Sequence, residues 1–299
     1  MDLLSIDDLT DAQIATILDE GERWFAFNRQ PRRNDRRLDG LTILNAFFEN
    51  STRTLLSFEI AAQRLGAQMV TMQVEHSSIK KGETLEDTAR TLNAMRPDAL
   101  VIRHGTSGAP RAVADIMDCP VINAGDGTGE HPTQALLDAA TLKHRFGRIE
   151  GLKIAICGDL AHSRVARSNG KLLPRLGAEV RFAGPPSLIP PDFDGSTAID
   201  EAVSGADVVM MLRIQRERLD EDFNDGPGEF LSRYGLTAER FARAAPNAVV
   251  MHPGPINRGV EIDGKLADDP ERSLITLQVE MGVAVRMACL ELLIGGGPA

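Results

Sequence analysis

The chain has 299 residues, a length that is enough for two ordinary domains or one large α/β domain. Hydrophobic residues make up 42% and charged residues 25%, as in a conventional packed protein. A net charge of −10, with a single Trp and a single Tyr, argues against a nucleic-acid surface and against stacking of single strands. The apolar runs fall short of the roughly 20 residues of a membrane span, and the N-terminus is acidic where a signal peptide is basic. We therefore expect a cytoplasmic protein that binds neither nucleic acid nor membrane.

Apolar, strand-like runs alternate with helical patterns along most of the chain. The predicted strands are residues 41–48, 68–73, 99–103, 121–124, 152–157, 179–183, 208–212 and 248–251. The predicted helices include residues 55–65, 85–94, 134–146, 165–176 and 274–293. This alternation predicts an α/β protein with parallel sheets and helices on both faces.

Eight parallel strands either close into one barrel or divide into two open sheets. We favour two open sheets, because the polar motifs fall into two groups separated near residue 130. The predicted first domain is residues 1–130, with the C-terminal helix of residues 274–299 packing back on it. The predicted second domain is residues 131–273, and the helix at 134–146 connects the two halves.

The segment 47–54, F-F-E-N-S-T-R-T, joins the first predicted strand to a helix. A strand–turn–helix junction of this kind offers free backbone N–H groups at the positive end of a helix, together with three hydroxyls and the guanidinium of Arg53. It predicts a phosphate-binding cradle. The alternative is that Ser51 or Thr52 only caps the helix, but a cap needs no charge at Arg53.

Three further polar segments follow in the first half. Residues 76–84, H-S-S-I-K-K-G-E-T, are predicted to form a loop, and two lysines beside a glycine usually indicate a solvated surface turn. Arg103 stands at the carboxyl end of a strand, where open α/β sheets bind ligands. His131 follows a glycine-rich turn, and Pro132 suits the first turn of the next helix. An imidazole there tends to stay neutral and donate a hydrogen bond, although a structural role is the alternative.

The second half supplies two arginines beside strand ends, Arg164 and Arg213. The segment 154–166 resembles a dinucleotide turn, but it lacks the second and third glycines of that fingerprint, which disfavours NAD. The three cysteines are widely spaced, so neither a disulfide framework nor a zinc site is predicted. Together the two halves suit two anionic ligands, one with a phosphate and one with carboxylates.

The chain resembles the aspartate/ornithine carbamoyltransferase family over nearly its whole length, and it is most similar to the aspartate-specific members. The resemblance rests on these segments in this order: F-F-E-N-S-T-R-T at 47–54, K-K-G-E-T at 80–84, H-P-T-Q at 131–134, G-D-L at 158–160, R-I-Q-R-E-R at 213–218 and H-P-G-P at 252–255. It implies a transferase that makes N-carbamoyl-L-aspartate and phosphate from carbamoyl phosphate and L-aspartate, the committed step of pyrimidine synthesis, without cofactor or metal.

The resemblance also implies a role for individual residues. The phosphate would be bound by Ser51, Thr52, Arg53 and Thr54, with Ser77 and Lys81 from a neighbouring subunit. The carbonyl oxygen would be polarised by Thr54, Arg103 and His131, and Gln134 would hold the carbamoyl nitrogen. Aspartate would be bound by Lys81, Arg164, Arg213, Gln215 and the backbone of Pro253 and Gly254. The catalytic group is then Arg53, Thr54, Lys81, Arg103 and His131, in a homotrimer with shared sites.

Three points bear on this expectation. Ornithine-specific members carry His-Cys-Leu-Pro where this chain has His252-Pro253-Gly254-Pro255, and an ornithine ammonium would need an anion where Arg213 supplies a cation. The chain departs from the family pattern at Leu55, often a basic residue, and at Gly254, often leucine. The alternatives are a carbamoyltransferase for another amino acid and a silent scaffold homologue; candidate partner chains are a regulatory subunit or a dihydroorotase.

Overall fold

A computed structural model of the chain describes residues 1–72, 82–214 and 228–295. The chain divides into two compact units: Met1–Ala140 with Val279–Ala299, and Thr141–Gln278. Both connections run inside helices, because α5 (Pro132–Phe146) and α11 (Ile275–Ile294) each contain one of the two boundaries.

The first unit is built on a four-stranded parallel sheet. Its strands are β1 (Thr42–Phe47), β2 (Gln68–Met72), β3 (Ala99–His104) and β4 (Val121–Asp126), in the order β2-β1-β3-β4. Its other helices are α1 (Asp11–Asn28), α2 (Thr52–Arg64), α3 (Leu85–Ala94) and α4 (Ala109–Ala114). In register, Phe47 of β1 lies beside Arg103 of β3, so both strands end at the same edge. This is the edge to which the strand–helix junction of residues 47–54 belongs.

The first sheet is covered on both faces, as its apolar strands predict. Leu44 and Ala46 of β1 share a core with Ala89 of α3 and Val113 of α4. The other helices include α11, whose Glu291 accepts a hydrogen bond from Trp24 of α1 at 2.8 Å. The C-terminal helix therefore packs on the first unit, as predicted.

The second unit is built on a five-stranded parallel sheet. Its strands are β5 (Lys153–Cys157), β6 (Glu179–Ala183), β7 (Gly195–Ser196), β8 (Val208–Met211) and β9 (Val249–Met251), in the order β7-β6-β5-β8-β9. Its helices are α6 (Arg164–Arg175), α7 (Ile199–Val203), α8 (Glu229–Tyr234), α9 (Ala238–Phe241) and α10 (Gly264–Ala267). One face packs on α7, α9 and α10. Helix α6 packs closely on β6, because a Cβ added at Gly170 of α6 would lie 3.1 Å from the Phe182 ring of β6.

The two-sheet prediction is confirmed, and all eight predicted strands are present. The structure differs from the prediction in the start of one helix and in elements that were not predicted. Helix α2 begins at Thr52 rather than residue 55, so the hydroxyl residues lie in its first turn. Strand β7 and helix α1 were not among the predicted elements. Within the described ranges, no helix has both the length and the apolar content that crossing a membrane requires.

Candidate active site

The start of α2 carries a cluster of polar groups, and the N-cap hydroxyl among them is not used to cap the helix. Ser51 is the N-cap residue in extended conformation, yet its side chain makes no capping hydrogen bond. Thr52 and Arg53 are exposed, and Thr54 is buried. The geometry therefore disfavours the capping alternative for Ser51: the hydroxyl and the first-turn N–H groups of α2 remain available to an anion at a helix N-terminus.

Thr54 lies against the imidazole of His131. Its Oγ1 is 3.4 Å from His131 Nε2, and both side chains are buried. The distance is longer than an ordinary hydrogen bond, so the two groups can both point to one acceptor that lies beside them. The sequence separates these residues by 77 positions, so the sheet brings them together. This contact joins the first predicted motif to the glycine-rich one.

The loop before His131 is fixed by its own backbone and by short side chains. A Cβ at Gly127, whose φ is +50°, would lie 2.7 Å from the carbonyl oxygen of Gly105, so the loop contacts the end of β3 directly. Asn123 Oδ1 accepts from Gly125 N at 2.8 Å, and Asp126 Oδ2 accepts from Gly108 N at 3.0 Å. His131 is thus presented by a rigid turn at the start of α5.

Arg103 is held beside the same strand end. Its Nη1 donates to the carbonyl oxygen of Ala124 at 3.2 Å, and its Nε lies 3.4 Å from Glu49 Oε2. Glu49 is therefore a charged partner that the sequence reasoning missed, although it stands inside the F-F-E-N-S-T-R-T motif. A carboxylate close to Arg103 favours the charged guanidinium and limits the orientations it can adopt.

Gln134 lies on the first turn of α5, three residues after His131. Its Nε2 donates to Asp138 Oδ1 at 3.0 Å. Gln134 is 8% exposed and Asp138 is fully buried. Within the described part of the chain, Gln134 Oε1 makes no hydrogen bond, so the oxygen end of the amide is open to a donor.

In the second unit, Arg164 and Arg213 both follow strand ends. Ser163 caps α6 by accepting from Ala166 N at 3.1 Å, and Arg164 is the first residue of that helix. Arg213 comes two residues after β8, beside the buried Ile214. Parallel strands β5 and β8 are neighbours, so the two arginines follow adjacent strands of one sheet.

The loop after β9 is held by a buried pair of side chains. His252 Nδ1 accepts from Gly254 N at 2.8 Å, and its Nε2 lies 3.2 Å from Glu261 Oε1. Because Nδ1 accepts, the ring proton belongs on Nε2, where it is donated to Glu261. Gly254 has φ +68°, a conformation that favours glycine over leucine.

Asn257 connects this loop to the end of β8. Its backbone N–H donates to Glu261 Oε1, and its Nδ2 donates to the carbonyl oxygen of Ile214 at 3.1 Å. The loop carrying Pro253 and Gly254 is thereby tied to the residue that follows Arg213. Neither Asn257 nor Glu261 was predicted as a functional residue.

The remaining predicted residues, Ser77, Lys81 and Gln215, lie outside the described residues. The described residues contain no cluster of three or more His, Cys, Asp or Glu side chains suited to a metal ion. Burial raises the pKa of Cys119 to about 11 and the pKa of Cys157 and Cys289 to about 12. These thiols are therefore protonated near neutral pH, and none has the character of a nucleophile.

Comparison with known proteins identifies the family of the chain. Residues 1–144 match the carbamoyl-P binding domain of aspartate/ornithine carbamoyltransferases, and residues 150–293 match the Asp/Orn binding domain of the same enzymes. The chain belongs to this family. Among its relatives is the aspartate carbamoyltransferase catalytic subunit of Rhizorhabdus wittichii, 62% identical over 97% of this chain and 94% of that protein. That of Ruegeria pomeroyi is 57% identical over 97% and 95%.

Two similar solved structures are enzymes of different amino-acid specificity. Aspartate transcarbamoylase from Trypanosoma cruzi, in complex with carbamoyl aspartate and phosphate, is 33% identical with a TM-score of 0.85, covering 97% of this chain and 94% of that one. Ornithine carbamoyltransferase from Pyrococcus furiosus is 28% identical with a TM-score of 0.88, covering 99% and 98%. The backbone is therefore common to both specificities.

Proposed function

We propose that this chain transfers the carbamoyl group of carbamoyl phosphate to the amino group of L-aspartate, giving N-carbamoyl-L-aspartate and phosphate. The observation that carries the proposal is the meeting of Thr54 and His131 at the start of α2, where the Ser51 hydroxyl is not used for capping. Relatives that are 62% and 57% identical and named as aspartate carbamoyltransferases support the choice of reaction.

The first unit binds carbamoyl phosphate in this proposal. Ser51, Thr52, Arg53 and the N-terminal N–H groups of α2 receive the phosphate, which a helix N-terminus favours electrostatically. Thr54, His131 and Arg103 donate to the carbonyl oxygen, on which negative charge builds as the amine attacks. Gln134 receives the carbamoyl nitrogen. Fixed donors of this kind contribute typically about 100- to 1000-fold each.

The second unit binds aspartate. Arg164 and Arg213 pair with its two carboxylates, and guanidinium groups suit such bidentate contacts. Gln215 supports them, and the backbone carbonyls of Pro253 and Gly254 accept from the carbamoyl and amino groups. The described residues offer no activated nucleophile, so the amine attacks the carbonyl carbon directly and the departing phosphate takes up the amine proton. The reaction is then driven by positioning and by electrostatic stabilisation.

We also propose a homotrimer in which Ser77 and Lys81 act in the site of a neighbouring subunit. The support is an apolar surface on the first unit: Leu56 and Ile60 of α2 and Val70 of the edge strand β2 are 46%, 37% and 51% exposed. Large apolar groups on a sheet edge are typical of association. Mixing Arg53→Ala with Lys81→Ala protein should restore activity in hybrid trimers, whereas no recovery would mean that Lys81 does not act across subunits.

The place of the reaction is proposed on the same basis. An enzyme making N-carbamoyl-L-aspartate would catalyse the committed step of pyrimidine synthesis in the cytoplasm, alone or assembled with regulatory or dihydroorotase chains.

The deciding experiment offers L-aspartate and L-ornithine in parallel to the purified chain with carbamoyl phosphate. Product with aspartate alone is expected. Product with ornithine alone would keep the phosphate site but overturn the role of Arg213. No product with either amine would favour a silent homologue or a chain that needs a partner, and would count against the proposal.

A further inference from the structure

The first unit buries two side chains of opposite charge, one on α11 and one on α5. Arg286 of α11 is 3% exposed and Asp138 of α5 is fully buried. The positive charge of Arg286 and the negative charge of Asp138 lie near enough to interact, although burial lowers the pKa of Arg286 to about 10. A guanidinium with that pKa is still protonated at pH 7. Neither residue belongs to the proposed reaction, and burying charges is costly unless they are paired.

Arg286 is wedged between two helices that carry site residues. Its Cζ stands 5.1 Å from the centroid of the Phe58 ring on α2, the helix that begins with the phosphate-binding hydroxyls. Its Nη1 donates to the carbonyl oxygen of Gly282 at 3.2 Å. A Cβ at Gly282 would lie 2.8 Å from that Nη1 and 3.3 Å from Leu137 of α5. Glycine at this position therefore gives the guanidinium the space to lie against α5 and α2.

Asp138 determines which end of the Gln134 amide is used inside the protein. A carboxylate only accepts, so the group 3.0 Å from Asp138 Oδ1 must be the Gln134 NH2 rather than the carbonyl oxygen. The positive charge of Arg286 interacts with the negative charge of Asp138, which suits this acceptor role. The oxygen end of Gln134 is thereby left to accept from a donor.

We propose that Asp138, supported by Arg286, is a positioning residue that fixes the Gln134 amide with its oxygen towards the ligand, and that this selects an NH2 group over a methyl group on the ligand carbonyl. The inference rests on the proposed function, because that function supplies the carbamoyl NH2. A ligand with a methyl group there leaves Gln134 Oε1 unpaired, so the site should bind it more weakly.

The test compares two stable ligands, phosphonoacetamide and acetonylphosphonate, which differ only in NH2 against CH3. Calorimetry on the wild-type chain should give a preference for phosphonoacetamide of about fivefold to tenfold, the usual value of one hydrogen bond. In Asp138→Asn the neutral amide of residue 138 can donate as well as accept. The Gln134 side-chain amide can then rotate and exchange the positions of its oxygen and its NH2 group. The preference should then fall below about twofold, the Michaelis constant for carbamoyl phosphate should rise, and that for aspartate should stay within about twofold.

Two further variants separate positioning from loss of folding. Asp138→Asn combined with Arg286→Met removes both charges and leaves neither one buried alone, so it should fold even where Asp138→Asn does not. It should show the same loss of ligand preference. Asp200→Asn removes a carboxylate that pairs with Arg240 at 2.7 Å in the second unit, and it should leave the preference unchanged.

The outcomes distinguish this inference from the function on which it rests. Wild-type protein that carbamoylates aspartate, with variants that fold and keep the full ligand preference, would overturn the positioning role alone. Wild-type protein that transfers no carbamoyl group and binds neither phosphonate would overturn both. Loss of preference in both Asp138 variants, with Asp200→Asn unchanged, would support the inference.

Discussion

Thr54→Val is the sharpest test of the proposed site, because valine keeps the shape of threonine and removes only the hydroxyl. In the described part of the chain, the sole polar contact of that hydroxyl is His131 Nε2 at 3.4 Å. A contact of this length adds little to folding, so we expect the free energy of unfolding to change by less than about 1 kcal/mol. If the hydroxyl donates to the developing oxyanion, kcat should fall about 100- to 1000-fold, or about 2.7–4 kcal/mol of transition-state stabilisation.

Ser57→Ala is the matched control on the same helix. Ser57 is also buried, but its hydroxyl donates to the carbonyl oxygen of Thr54 at 2.9 Å, a normal hydrogen bond within the protein. Its removal should lower the free energy of unfolding by about 1 kcal/mol and leave kcat within about threefold. Chemical denaturation and steady-state kinetics on both variants measure the two effects. If Thr54→Val kept more than a third of wild-type kcat, the assigned role would be wrong.

Three further outcomes are expected. Asn257→Ala removes the donor to the carbonyl oxygen of Ile214 at 3.1 Å. In steady-state kinetics the Michaelis constant for aspartate should rise about tenfold, and that for carbamoyl phosphate should stay unchanged. Cys119, with a pKa of about 11, should react with a thiol reagent at pH 8 far more slowly in folded than in unfolded protein. A hydrogen bond from Arg240 lowers the pKa of Asp200 from its ordinary value of 3.8. The ionised Asp200 therefore stabilises the fold above pH 3.8, and this contribution is lost as the pH falls through the pKa of Asp200 in the folded protein. Denaturation of Asp200→Asn should show no such loss.

The sheets could be predicted from the sequence because most of their strands are buried and therefore read as continuous apolar runs. Strand β7 has two residues and carries no such run, so only its pairing with β6 defines it. Helix α1 is different, since Ile14, Ile17, Leu18 and Gly21 already follow helical spacing and are buried. That spacing is by itself a sequence signal for a helix.

Individual site residues were accessible to motif reasoning, but the contacts between them were not. The family resemblance implies that Thr54 and His131 serve one ligand, and the fold adds that the two side chains lie 3.4 Å apart. In the sequence, Asp138 and Arg286 look like ordinary charged residues of two helices. Their importance depends on burial and on the approach of α11 to α5, which only tertiary packing determines.

Substrate choice is the part of the function that the fold leaves open. The ornithine enzyme of Pyrococcus furiosus has a TM-score of 0.88 to this chain, whereas the aspartate enzyme of Trypanosoma cruzi with carbamoyl aspartate and phosphate has 0.85, so backbone similarity does not separate the two amines. The difference must lie in side chains that meet the amino acid. A second carboxylate requires a cation where an ammonium requires an anion, and Arg213 follows β8, tied through Ile214 and Asn257 to the loop of Gly254. If Arg213 pairs with the second carboxylate as proposed, changing the specificity would need a new charge at residue 213, because an ornithine ammonium beside the guanidinium would have no anionic partner.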